Sequence, residues 1–153
     1  MRTTKRRLFE LATTFRQALL DCPKDDFSDY QKKRLLNFPR QSCDVASMLL
    51  AHYLWAQGIQ NVERVLGFLD PLDFKSSHVW LETEGWIIDL TAHQFPGVRD
   101  SIIFAKAKNS WHSKCDVQTR DPAHLDQTWA RSEKAYAAVK KWLDGNRQPD
   151  SCP

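Results

Sequence analysis

Leu8, Leu11, Ala12, Phe15, Ala18 and Leu19 recur at three- and four-residue spacing, so the chain opens on an amphipathic helix over about 4–20, and Pro23 follows it. The stretch 24–37 mixes charged and aromatic residues and predicts a short helix plus a loop, closed by Pro39. A second long helix is expected from Ser42 or Cys43 to about Gln57. Ser42 stands at the N-cap, Asp44 in the first turn and Gly58 at the stop. It carries Val45, Ala46, Met48, Leu49, Leu50, Tyr53, Leu54 and Trp55, apolar over more than half its circumference, which marks a central buried helix.

From Val62 the period changes. Val62–Leu69, His78–Glu82 and Trp86–Leu90 are short and rich in Val, Ile, Leu and Trp, with turn residues between them, and a further strand is expected at Ser101–Ala105. A last helix is expected from about Pro122 to Leu143 on Leu125, Trp129, Ala135, Tyr136, Val139 and Trp142, with Gly145 ending it. Neither a repeat nor a linker interrupts the chain. The expectation is one α+β domain over 1–153.

Composition narrows the function. At 153 residues, a core is possible without staples. The 22 basic against 19 acidic residues give +3, too mild for a nucleic-acid footprint, and no apolar run is long enough for a membrane span. The Arg-rich start reads as a core-packing helix, not as a secretory signal or transit peptide, because polar residues interrupt it. Cysteines at 22, 43, 115 and 152 match no disulfide framework, so free thiols in a reducing, cytoplasmic setting are expected. His112 and Cys115 form an H-x-x-C pair, two ligands where a structural zinc needs four; no metal and no cofactor are predicted.

One cysteine stands apart. Cys43 falls at a helix start, where unpaired N–H groups and the dipole favour an anion and offer donors to an oxyanion. A thiol nucleophile also needs a base, and the base an orienting group. With a two-residue turn at Glu84-Gly85, residue i pairs with 169 − i. His78 and Asp89 then project from one face as diagonal neighbours, about 7–8 Å apart at the backbone. Trp80 shares that face, while Val79, Leu81, Ile88 and Leu90 form the apolar other one. Trp80 is therefore a candidate substrate wall and His93 a candidate at the cleft mouth. His52 points away from the helix start and reads as structural or surface, and His112 and His124 have no evident partner.

The run Phe38-Pro39-Arg40-Gln41-Ser42-Cys43-Asp44-Val45-Ala46-Ser47-Met48-Leu49-Leu50 resembles the nucleophile helix of transglutaminase-like proteins in the papain-like superfamily. Ser77-His78-Val79-Trp80-Leu81-Glu82 and Gly85-Trp86-Ile87-Ile88-Asp89-Leu90-Thr91 resemble that group's second and third blocks. The resemblance covers about residues 38–95. It implies a papain-like α+β fold, with core blocks at about 38–105 and the nucleophile helix packed on a small antiparallel sheet. It also implies Cys43 as nucleophile, His78 as general base and acid, and Asp89 as orienter. Where the family often has Gly beside the nucleophile, this chain has Ser42 and Asp44, and the Asp44 anion opposes thiolate formation. Gln41 is the side-chain amide near Cys43 and is nominated as oxyanion donor beside the Cys43 N–H.

The implied function is acyl transfer or hydrolysis at an amide bond of a peptide, protein or small-molecule substrate. An acyl-thioester would be resolved by water (peptidase, amidase, deamidase) or by an amine (transglutaminase). The alternative is a catalytically silent papain-like scaffold serving as a binding module. A Cys43 sulfur far from the His78 ring would favour that alternative.

Overall fold

The computed structural model describes residues 5–106, 108, 110–123 and 130–146. Helices α1 (Lys5–Asp21), α2 (Asp29–Leu36) and α3 (Cys43–Ala56) precede strands β1 (Glu63–Phe68), β2 (Ser77–Thr83), β3 (Trp86–Asp89), β4 (Ile103–Lys106) and β5 (Asp116–Pro122), and α4 (Glu133–Gly145) follows. The strands form one antiparallel sheet in the order β4-β3-β2-β1-β5. The architecture is mixed α+β, as expected.

The helical stripes predict the packing correctly. Leu8, Ala12, Phe15, Ala18 and Leu19 of α1 are all buried, and Phe15 stacks on Tyr53 of α3 with ring centroids 5.3 Å apart. Every residue from Val45 to Leu54 is buried, so α3 is the central helix that its apolar circumference demands. One continuous core joins Leu8 and Phe15 to Leu49 and Leu54, to Leu81 and Ile88 of the sheet, and to Ala135 and Val139 of α4. Burying each such large side chain contributes about 1.5–3 kcal/mol. His52 belongs to this interior, where its ring stacks on Tyr136 at 5.2 Å.

The helix ends follow local chemistry. Ser28 and Gln31 form a reciprocal capping box at the start of α2: the Gln31 N–H donates to Ser28 Oγ (3.2 Å) and the Ser28 N–H to Gln31 Oε1 (2.9 Å). At the end of α3, Gly58 has φ +85° and the Ile59 N–H reaches back to the Leu54 carbonyl at 2.9 Å, the closure that only an αL residue permits cheaply.

The β2–β3 hairpin takes the expected register, pairing Leu81 with Ile88, Glu82 with Ile87 and Thr83 with Trp86. Glu84 (φ 52°) and Gly85 (φ 79°) are both left-handed, as a two-residue turn matching strand twist requires. The end of the chain departs from expectation. Residues Asp116–Pro122 form an edge strand paired to β1, so Pro122, expected to open the last helix, closes a strand instead; the described helix Glu133–Gly145 follows a turn at Ser132. All seven residues of β5 are exposed, so the segment carries no apolar alternation to mark it. Leu125 and Trp129, expected in that helix, lie outside the described residues, as do His124 and Cys152.

Candidate active site

Two layers meet at the start of α3. Leu81 and Ile88 face the helices, while Val65, Trp80 and Ile87 form a second cluster on the opposite face of the sheet, with Cys115 against it. His78 and Asp89 belong to this second face. They come together: His78 Nε2 lies 2.6 Å from Asp89 Oδ2, with the residues 0% and 1% exposed. The Asp89 Oδ1 accepts the Thr91 N–H at 2.8 Å and the Thr91 hydroxyl at 3.3 Å.

Cys43 is the first helical residue of α3, is half-buried, and is among the groups that raise the His78 pKa. Ser42 stands at the N-cap without capping. Its hydroxyl donates instead to the Pro39 carbonyl at 2.8 Å, so it leaves the first-turn N–H groups to other acceptors. Ser47, one turn beyond Cys43, donates to the Val79 carbonyl at 3.3 Å and ties the helix to β2.

The electrostatics follow from burial and pairing. Burial works against a charged imidazole at His78. The Asp89 charge, with hydrogen bonds to Asp89 and Cys43, overcomes it and raises the His78 pKa to about 9. Burial would likewise raise Asp89, but His78 and His112 hold its carboxyl well below the usual range. The site therefore carries an imidazolium–carboxylate pair at neutral pH. The Asp44 anion is matched: Arg64 of β1 donates to its Oδ1 through Nη2 (2.8 Å) and Nε (3.1 Å). Its sequence position beside Cys43 thus overstates its effect on the sulfur. Burial raises Cys22, and burial plus the Asp89 charge pushes Cys115 up to about 11, so both stay protonated. Cys22, Cys43 and Cys115 are all free.

The remaining candidates take different places. Trp80 shares the His78 face but is 1% exposed and donates its indole N–H to Glu82 at 3.0 Å. It backs the imidazole, with ring centroids 5.9 Å apart, and is too deep to form a substrate wall. The half-exposed aromatics at the site are Phe95 and Trp111, stacked on each other at 5.0 Å and both edge-on to His78. His93 lies in a 3-10 turn (Ala92–Gln94) against Phe38, in the loop that leads to Cys43. Burial and the Arg16 guanidinium lower its pKa, and Asp89 acts the other way. Gln41 has a left-handed backbone (φ 61°) and an exposed side chain. The side-chain amide that reaches the imidazole is that of Gln94, 3.4 Å from His78 Nδ1 and anchored to the Thr91 carbonyl at 3.1 Å.

His112 is the largest omission of the sequence reading. Its Nε2 lies 2.6 Å from Asp89 Oδ2, and the residue is 3% exposed. The signal available was an aromatic pair, Trp111-His112, inside an otherwise polar stretch. His78, Asp89 and His112 converge with their ligand-type atoms within 4.8 Å of one another. Both imidazoles place Nε2 at hydrogen-bond distance from one carboxylate oxygen, and all three residues are buried. Hydrogen bonding accounts for the cluster.

No described helix is long and apolar enough to cross a membrane. No protein-family model, curated protein or solved structure matches this chain.

Proposed function

We propose that the protein is a cysteine-dependent enzyme of the transglutaminase-like, papain-like kind, acting on the amide bond of a peptide, protein or small molecule in a reducing, cytoplasmic setting. The observation that carries this reading is the single imidazole of His78, paired to buried Asp89 at 2.6 Å, with the half-buried Cys43 thiol at the start of α3 acting on the same ring. The Cys43 sulfur attacks the carbonyl carbon, forming the C–S bond. The C–N bond breaks as the His78 imidazolium gives its proton to the leaving amine. Water or an amine, deprotonated by His78, then attacks the acyl-thioester and releases the thiolate. Asp89 stabilises the imidazolium and fixes the ring. Donors for the oxyanion come from the start of α3, with Gln94, whose amide reaches the His78 ring, and Gln41 as the candidate side-chain amides.

A second reading, a silent scaffold used for binding, draws on one observation: His78 is 0% exposed. Alkylation by iodoacetamide near neutral pH, with the modified cysteine mapped by mass spectrometry, separates the two. Catalysis predicts that Cys43 reacts at least about tenfold faster than Cys22 and Cys115 and that Cys43→Ala abolishes this labelling. Equal rates at the three thiols would leave the scaffold reading.

A further inference from the structure

Asp89 Oδ2 serves two imidazoles at once, His78 and His112, each with Nε2 at 2.6 Å. Because Asp89 is held ionised, both ring nitrogens must carry their hydrogen and donate it. With the two Thr91 bonds on Oδ1, the carboxylate accepts four hydrogen bonds, about its full capacity. The other three already fix its orientation. What His112 adds is competition for the electron density that holds the His78 proton. We propose that His112 is a positioning residue that divides Asp89 Oδ2 between two imidazoles and thereby sets how tightly the carboxylate grips the His78 ring.

The inference deepens the acyl-transfer reading and rests on it. A His78 that keeps its proton too strongly is a poor general acid toward a leaving amine. Packing alone explains His112 badly. Its ring is 4.7 Å from Trp80 and 5.2 Å from Trp111, a niche suited to an apolar ring, yet its Nδ1 is buried with no hydrogen-bond partner among the described residues. The charged and titratable groups that face this pair come from every side. Cys43 of α3 and Asp89 of β3 act on His78 directly, and Cys115 and His93 feel the Asp89 charge, the latter with Arg16 of α1 beyond it.

The test is an NMR titration of the His78 ring in the full chain carrying 15N-labelled histidine, with wild type, His112→Phe and His112→Gln compared. Phe keeps the aromatic volume and loses the donor; Gln keeps an N–H near the position of Nε2 and loses the ring. In His112→Phe the His78 midpoint should rise by about one pH unit, tenfold in its proton equilibrium, whereas His112→Gln should stay near wild type. An unchanged or lowered midpoint in His112→Phe overturns the proposal, because a packing role would move the Gln variant instead. If His112→Phe does not fold, His112→Gln decides: a wild-type midpoint supports the donor role and a displaced one refutes it. Cys43 alkylation is measured on the same samples. A wild-type Cys43 no faster than Cys115 overturns the acyl-transfer reading, whereas a fast Cys43 with an unmoved His78 midpoint overturns this inference alone.

Discussion

Replacing Asp89 by Asn keeps the side chain's size and removes its charge, leaving a fully buried imidazole without its counter-ion. Below its ordinary pKa of 6.5, His78 is charged in both folded and unfolded chains, and the folded chain holds it to about 9. The stabilisation is therefore complete below about pH 6.5 and is lost as pH rises through about 9. The depressed Asp89 carboxyl sets the acid limit: its contribution is present above the ordinary 3.8 and is lost as pH falls toward the lower folded value. A displacement of His78 from 6.5 to about 9 corresponds to about 3–4 kcal/mol, at about 1.4 kcal/mol per unit. Removing one partner of a buried pair costs about 3–5 kcal/mol, the same scale for the same interaction counted once. For a chain of this length, each kcal/mol moves Tm by about 2–4 °C, so Asp89→Asn should melt about 6–16 °C lower at pH 6. Thermal unfolding followed by circular dichroism from pH 5 to pH 10 reads this directly. The deficit should be widest near pH 5–6 and shrink steadily toward pH 10. An equal deficit at pH 6 and pH 10, or one under about 2 °C at pH 6, would refute the ion-pair reasoning.

Two further outcomes follow from the surroundings of the site. A Cβ on Gly67 of β1 would meet Trp80 Cη2 at 2.8 Å and the Asp116 carbonyl at 3.2 Å, so Gly67→Ala should cost about 1–3 kcal/mol in a urea titration and slow Cys43 alkylation as Trp80 is pushed toward His78. Retention of wild-type stability would mean that β1 and Trp80 yield freely. Arg64→Ala leaves the Asp44 anion uncompensated beside Cys43 and should slow alkylation at neutral pH about two- to fivefold, with the effect shrinking at high salt. An unchanged rate would show that Asp44 does not act on the sulfur.

The sequence by itself determined what local periodicity and turn chemistry can determine. The buried stripe of α1, the all-round burial of α3 and the pairing across Glu84-Gly85 follow from side-chain spacing and from a turn that only one register fits. That register puts His78 and Asp89 on one face, and the start of α3 marks Cys43, so all three candidate catalytic residues were legible. Tertiary structure decided the rest, because the partners arrive from segments whose local pattern carries no instruction about them. His112 comes to Asp89 from 23 positions away. Gln94 and the Phe95–Trp111 stack lie against the His78 ring, whereas the left-handed turn at 41 leaves the Gln41 side chain exposed and the closely packed second cluster buries Trp80. Arg64 answers Asp44 only because β1 lies beside the start of α3. The exposed strand β5 is stabilised by its backbone pairing to β1, an interaction that leaves no period in the side chains.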